Sequence, residues 1–344
     1  MSAMQVNDRP SLEAALKASR TGDHIRMVAG KYAAVSLSGL VRSQRIPVVV
    51  ESVDPANPAI FVEGKDSLGR WAPALQIDGS SGFMFRDFSL QVTAPDTNYY
   101  GVLTRTSRGI SFDNINMRGA GSGSVSGWRT IGCQGISLSR IDAADIGYFA
   151  VFMQTSDIAV ERNIAQRLGC DFCQNFEIQR ISMMGNQNLS PTPISGAHPD
   201  FLQVFTKGSK IRSVGIRCVG NLLDRDAGVR SAGVQLTDED ALGFGDVDIS
   251  DNTFIGGQPN GIAVFGVWNG RIANNIVTGL PLTPGDPWPT LTPLSGIKFP
   301  KGGTVTGNKT TLAGSSPMDT SNTDLPFPTD GGKVLRAGWT AKFG

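Results

Sequence analysis

The chain has 344 residues, among them 42 glycines and 19 prolines, with 18% charged and 40% hydrophobic residues. That mixture is poor in helix formers and rich in turn punctuation, so it excludes a helical bundle and points to an all-β fold of many short strands. Basic and acidic residues nearly cancel, 31 against 30, and no Lys/Arg-rich run is present, which excludes the basic stripe of a nucleic-acid binder.

The first predicted element is a helix over Ser11-Leu12-Glu13-Ala14-Ala15-Leu16-Lys17-Ala18. Ser11 offers the cap, and Leu12, Ala15 and Leu16 share a face. Gly22-Asp23 ends it, and strands are predicted at 25–28, 32–37, 46–52 and 59–62. From residue 74 a loose repeat takes over: an apolar strand, a polar turn, an alternating second strand, an Asn or Gly corner, and a short third strand. The second strands align as Phe83/Phe85, Ile110/Phe112, Ile136/Leu138, Ile158/Val160, Phe176/Ile178, Val247/Ile249 and Ile272, with Ile211 a less regular member. The third strands offer Ile115/Met117, Ile141, Ile164, Ile181/Met183, Ile216/Cys218, Phe254 and Ile276. Period-2 alternation puts each pair on one face, the shared interior.

Asparagine precedes the third strand at Asn114, Asn163, Asn252, Asn275 and Asn308. Asn tolerates the left-handed conformation, so it suits a sharp corner repeated from coil to coil. Repeats of roughly 20 to 34 residues are the expected range for units that bury a face only by stacking. Segments 186–197 and 280–292, rich in Pro, Ser and Thr, read as insertions in the turns. The predicted organisation is a cap helix in 1–24, a parallel β-helix over 25–310 and a tail over 311–344. That tail has no coil pattern and is open to three uses: a cap, an assembly segment or a loose end. A β-sandwich, the structural rival, would need hairpin dipeptides that are few here.

The apolar run 262–268 falls far short of the ~20 residues a membrane helix needs. The opening Met1-Ser2-Ala3-Met4-Gln5 has no signal-peptide layout, so the expectation is a trimmed signal or synthesis in the cytoplasm. Cys133, Cys170, Cys173 and Cys218 lie in strand-like segments. Cys170-x-x-Cys173 lacks the second pair of a metal site and the context of a redox pair, so buried free thiols are expected and no metal ligands are assigned.

The opening from Ser11-Leu12-Glu13-Ala14-Ala15-Leu16 through Gly22-Asp23-His24-Ile25-Arg26-Met27-Val28-Ala29-Gly30-Lys31-Tyr32, with Pro47-Val48-Val49-Val50-Glu51-Ser52 after it, resembles pectate-lyase-like β-helix proteins. It is similar above all to the alginate lyase and chondroitinase-B branch. The resemblance implies a right-handed single-stranded parallel β-helix with an N-terminal capping helix, and it specifies fold better than chemistry. Lyases of that branch use a Lys/Arg pair, often with calcium. No local motif here matches the pair, so it is not carried over, and Ca2+ is the one cofactor the resemblance allows. His198-Pro199-Asp200-Phe201-Leu202-Gln203-Val204 is similar to a His-x-Asp-x-x-Gln signature of some phage and bacterial β-helix proteins.

These resemblances imply binding and cleavage of an acidic cell-surface or extracellular polysaccharide, and the missing signal layout and free thiols point to a phage-tailspike-like depolymerase as its setting. The alternatives are a free polysaccharide lyase and a non-catalytic receptor-binding or structural spike. Polysaccharide is then the expected partner, a homotrimer or virion proteins the expected company, and a virion or extracellular location the expected place. Neither nucleic acid nor membrane insertion is expected.

One internal match is sharper than the rest. Asp171-Phe172-Cys173-Gln174 and Asp200-Phe201-Leu202-Gln203 share Asp-Phe-x-Gln at an offset of one coil. Equivalent rungs lie about 4.8 Å apart, which stacks Asp171 on Asp200 and Gln174 on Gln203, with Gln235 extending the row. Two carboxylates so close repel unless they share a proton, bind a cation or meet a base. Three readings follow: a glycosidase acid and nucleophile, a lyase in which His198 or another base takes the uronate C5 proton, or a polar ladder that closes the strand edge. His24, at a strand start, reads as structural. Tyr100, Tyr148, Phe201 and Trp268 are placed on or beside one strand column as sugar platforms, with Arg129 as an anion contact.

Overall fold

The computed structural model describes residues 3–66, 68–94, 99–121, 123, 125–194, 197, 199–226, 228, 231–256, 260–280, 292–295, 297, 301–311, 322–325 and 328–344. The chain forms two compact units, Met1–Asn163 and Ile164–Gly344. In each, successive coils contribute one strand apiece to three parallel sheets.

In the N-terminal unit, sheet 1 runs through Ala3–Val6, His24–Met27, Val48–Ser52, Ser81–Arg86, Arg108–Asp113, Gln134–Ser139 and Ser156–Glu161. Sheet 2 runs through Lys31–Ala33, Ile60–Val62, Ser89–Gln91, Asn116–Arg118 and Asp142–Ala144, and sheet 3 through Val35–Ser38, Leu75–Asp78, Tyr100–Arg105, Ser126–Ile131 and Ala150–Met153. Like stacks on like: Phe83 and Phe85 pair with Ile110 and Phe112, then Ile136 and Leu138, then Ile158 and Val160. All of these are buried, so period-2 alternation fills the interior. The predicted strand 32–37 is two strands, because Ala34 adopts a left-handed φ of 47° and turns the chain from sheet 2 to sheet 3.

Helix α1, Arg9–Ala18, starts two residues before the predicted cap. Asp8 is the N-cap and Ser11 sits at N3, completing a capping box. Its buried face, Leu12, Ala15 and Leu16, packs on the first strands of all three sheets and closes an edge that would otherwise be open to pairing.

In the C-terminal unit, sheet 1 comprises Gln179–Met184, Ser213–Val219, Phe244–Ser250, Val267–Ala273 and Lys301–Thr306. Sheet 2 comprises Ile164–Gln166, Gln187–Leu189, Leu222–Asp224, Thr253–Ile255, Ile276–Thr278, Lys309–Thr310 and Thr323–Asp324. Sheet 3 comprises Cys173–Phe176, Asp200–Phe205, Ala232–Thr237, Asn260–Val264 and Thr292–Ser295. Two predicted alignments slip here. Ile181/Met183 and Ile216/Cys218 pair with Val247/Ile249 on sheet 1, while Phe176 belongs to sheet 3 and Ile211 is exposed. Phe176-Glu177-Ile178 alternates as convincingly as a strand, and the 35 residues from Ile181 to Ile216, against 23 from Ile158 to Ile181, break the even spacing.

The asparagine corner also works differently from its prediction. The left-handed residues are those before the buried asparagines, Arg162, Gly185, Gly220, Asp251, Asn274 and Gly307. The buried amides instead form a ladder: Asn186 Nδ2 donates to Asn221 Oδ1, Asn221 to Asn252, Asn252 to Asn275 and Asn275 to Asn308, each at 2.9 Å. Asn114 stands outside this ladder; it is itself left-handed and donates to Asp87.

The tail's last element is helix α2, Lys333–Phe343. It lies on the outer face of sheet 2 in its own unit, where Trp339 joins Leu222, Ile255 and Leu280 and its Nε1 donates to the Gly220 carbonyl at 3.0 Å. Gly220, at φ 65°, is glycine for two reasons: the left-handed turn, and the Phe343 ring, which a Cβ would meet at 2.6 Å. No helix among the described residues is long and apolar enough to cross a membrane.

Candidate functional site

The two Asp-Phe-x-Gln stretches do occupy successive rungs of sheet 3 in the C-terminal unit. Cys173 pairs with Leu202 and Gln174 with Gln203, and Gln203 pairs in turn with Gln235. The strands alternate, so Cys173, Leu202, Val234 and their kin point inward and the glutamines point out. On the same outward face stand Phe176, Phe205 and Thr237, also in register, the two phenyl rings 5.5 Å apart. The floor of this face is thus an amide row beside an aromatic row.

The amides are oriented. Gln174 Nε2 donates to Asp171 Oδ2 at 3.3 Å and to Gln203 Oε1 at 3.0 Å. Gln203 therefore accepts through its oxygen, which leaves its NH2 group as the donor on this outward face. Gln235 donates to Thr237 Oγ1, and its own Oε1 is buried with no hydrogen-bond partner among the described residues. A buried acceptor left unmet costs about 1–3 kcal/mol.

Asp171 and Asp200 sit behind this floor rather than in it. Both are buried; the Asp200 N–H donates to Asp171 Oδ1 at 2.9 Å, and the Phe172 N–H donates to the Asp200 carbonyl at 2.9 Å. Burial first, then the neighbouring Asp200 carboxylate, push the Asp171 carboxyl well above the ordinary carboxylate range, against the opposing pull of the Asp200 N–H and Gln174. A carboxyl that folding holds protonated loses stability as pH rises from its unfolded pKa through the raised folded one, because the unfolded chain gives up its proton first. Asp171→Asn, which keeps an oxygen for the Asp200 N–H, should flatten that decline; urea midpoints measured across this window check it, and an unchanged slope refutes it.

The remaining predicted residues separate. Phe201 is core: fully buried, it stacks on Phe172 at 4.8 Å with an interplanar angle of 5° and meets Phe254 at 5.8 Å. Trp268 lies on sheet 1, not sheet 3, paired with Gly245 and Lys301, and its ring carries the Arg212 guanidinium at 3.5 Å. In the N-terminal unit Arg129 faces outward on sheet 3, donates to the Tyr100 hydroxyl at 2.8 Å and lies 4.9 Å from that ring. Tyr148 precedes the next strand of that sheet and donates its N–H to Ser126 Oγ. His198 lies outside the described residues. His24 meets Glu51 at 3.1 Å, the structural role expected of it.

Phe176 and Phe205 were missed, although their signal was present: the internal match extends two residues further, to Asp-Phe-x-Gln-x-Phe at both places. The four cysteines are free and buried, and burial raises the Cys133, Cys173 and Cys218 thiols, the opposite of an activated nucleophile. Calcium finds no ready cage: among the described residues no three His, Cys, Asp or Glu side chains group to hold a metal ion. The acids Asp238, Glu239 and Asp240 after sheet 3 are engaged by the Thr206, Gly208 and Gly243 N–H groups.

No protein-family model matches the sequence. No curated protein matches it either. Solved structures do. A rhamnogalacturonan lyase superposes with a TM-score of 0.54 at 9% identity, over 92% of this chain and 89% of its own. A GH136 lacto-N-biosidase from Eubacterium ramulus gives 0.51 at 8% identity, over 90% and 67%. An alginate lyase from Paenibacillus sp. gives 0.41 at 12% identity, over 71% and 97%. Three parallel sheets wound coil upon coil, an end-capping helix and the first two of these likenesses converge on one architecture: the chain has the pectate-lyase-like right-handed parallel β-helix fold.

Proposed function

We propose that the chain binds a polysaccharide along the outward face of sheet 3 in the C-terminal unit and cleaves it. The observation that carries the reading is the oriented Gln174–Gln203–Gln235 row beside the Phe176–Phe205 pair. Amides spaced by one rung meet successive hydroxyls, and phenyl faces take the apolar faces of pyranose rings. The chain enters this strand of sheet 3 at Asp200 and leaves it at Phe205, and segments at strand ends are the usual place for functional residues on a rigid scaffold. Two of the superposing structures, a lyase and a biosidase by name, are of a kind with cleavage.

For an acidic polymer the reaction we favour is β-elimination: a base removes the C5 proton of a uronate, the C4–O bond breaks, a C4–C5 double bond forms, and the leaving oxygen takes a proton. His198 is the sequence candidate for the base. Asp171 acts as a positioning residue, fixing Gln174 and through it Gln203. A glycosidase pair is the lesser reading, because Asp171 and Asp200 are both buried.

Incubation with uronate-rich and capsular polysaccharides tests this, with ultraviolet absorbance reporting unsaturated ends and reducing-sugar release reporting any cleavage. Gln203→Ala and Phe205→Ala should each weaken binding roughly tenfold, about 1.4 kcal/mol, with unfolding nearly unchanged. Wild-type affinity in both variants would remove the groove from consideration. The finer setting, a tailspike-like depolymerase assembled as a homotrimer on a phage particle, extends the proposal; a monomer by light scattering would favour the free lyase instead.

A further inference from the structure

A second concavity, of about 770 Å³, lies wholly in the N-terminal unit, at the corner where sheet 3 passes to sheet 1. Its floor is built from the same corner on three successive coils, Gly79-Ser80-Ser81, Thr106 and Gly132, and its wall is the segment 41–45. That wall is tied down: Arg42 N–H donates to the Ser81 carbonyl, Ser81 Oγ donates to the Arg42 carbonyl, and Ser43 N–H donates to Thr21 Oγ1. Gly82, at φ 72°, lets the wall approach, because a Cβ there would meet the Ser43 carbonyl at 2.5 Å.

The chemistry of the lining is one-sided. Arg42, Arg45 and Arg108 line it, with Ser, Thr and Gln side chains between them and no Asp or Glu. Elsewhere in this unit Arg70, Arg86, Arg105, Arg118 and Arg140 each face a carboxylate. The three cleft arginines form no ion pair among the described residues, and Arg42 Nε is buried with no acceptor. Three guanidiniums left unneutralised around a concavity of ligand size are a poor use of charge for stability and a good one for oxyanions.

We infer that this cleft is a second carbohydrate subsite, which holds the anionic substituent of a sugar, a uronate carboxylate or a sulfate ester. The inference rests on the polysaccharide reading for the sugar ring; the oxyanion chemistry is the cleft's own. Arg42 sets the inner wall, since its Nη2 also donates to the Leu16 and Lys17 carbonyls at the end of α1. Arg45 and Arg108, both exposed, are free to close on the ligand.

Calorimetric titration of the full chain with inorganic sulfate, an oligogalacturonate, a sulfated oligosaccharide and a neutral oligosaccharide tests this. The expected result is binding of the anionic probes that weakens with added salt, and a loss of at least about tenfold in the Arg45→Ala/Arg108→Ala double variant, whose melting stays that of the wild type. The uronate and sulfate arms decide which substituent is preferred. Equal binding by the double variant, or no binding of any anionic probe to the wild type, overturns the inference. Gln203→Ala separates the two readings: a failed groove proposal leaves its titrations unchanged but does not touch the sulfate arm.

Discussion

Asn252→Leu should lower the unfolding free energy of the C-terminal unit by about 3–5 kcal/mol. Asn252 sits mid-ladder, and its Oδ1 accepts from both the Asn221 N–H and Asn221 Nδ2, each at 2.9 Å. Its Nδ2 donates to the Cys218 carbonyl at 2.8 Å and to Asn275 Oδ1 at 2.9 Å. Leucine fills the volume but deprives the Asn221 backbone N–H, one N–H of the Asn221 side chain and the Cys218 carbonyl of their Asn252 partner, at about 1–3 kcal/mol apiece before relaxation; Asn221 Nδ2 keeps the Met183 carbonyl at 3.0 Å. Asn275 loses less, because the backbone N–H of residue 252 still reaches its oxygen. Asn114→Gly is the control: that asparagine is outside the ladder, its left-handed φ suits glycine, and the change should stay within about 0.5 kcal/mol. Urea unfolding of the two variants decides the matter. A loss below about 1 kcal/mol at Asn252 would mean that the ladder orders the corner without supporting it.

The ladder also shows where the sequence is readable and where it stops. Asn163, Asn252, Asn275 and Asn308 are visible as a repeat because each coil must place an amide at the same corner, and stacking converts that need into a period. Asn221 escapes the same reading because 35 residues separate it from Asn186, whereas Asn186, 23 residues after Asn163, keeps the period and is hidden by the Phe176-Glu177-Ile178 alternation that displaces its coil. The slip of Ile181/Met183 and Ile216/Cys218 onto the wrong sheet has the same origin. Alternation tells inside from outside, but three sheets share one alternation, and only coil length says which sheet a strand joins.

The candidate groove was half legible. Register between Gln174 and Gln203 follows from an identical local motif, and identical motifs stack for the same reason that asparagines do. Burial was not legible: at the start of the Asp200–Phe205 strand three consecutive residues, Asp200, Phe201 and Leu202, are all enclosed, so alternation fails where the chain turns into the sheet. Phe201 consequently packs in the core while Phe205, four residues on, stands outside. The arginine cleft was invisible for another reason. Arg42, Arg45 and Arg108 are ordinary surface residues in sequence, and only the fold of segment 41–45 across the next coils gathers them.

Trp339→Ala should be nearly as damaging as the ladder variant, at about 3–5 kcal/mol, the range for emptying a buried tryptophan site. Helix α2 has few resources of its own. Its N-cap, Gly332, offers no side chain, so its first turn is capped only by Asp330, whose Oδ2 accepts from the Val334 N–H at 2.8 Å, and eleven residues are marginal as a free helix in water. Its order therefore comes from docking. Leu335, Trp339 and Phe343 recur at four-residue spacing and meet the Leu222, Ile255 and Leu280 cluster. Arg336 pairs with Asp224, whose side chain is 1% exposed, and Lys342 pairs with Asp251 at 2.8 Å. Without the tryptophan anchor the helix should leave the sheet, uncovering apolar Leu222 and Ile255 and stranding the Asp224 carboxylate in a place where water only partly reaches it. Limited proteolysis reads the detachment as rapid loss of residues 328–344, and thermal unfolding reads the accompanying destabilisation. Val334, 75% exposed on the same helix, supplies the contrast: Val334→Ala should change neither. If Trp339→Ala kept both its protease resistance and its melting temperature, the helix would be held by its ion pairs, and Arg336→Ala would then have to produce the effect that the tryptophan did not.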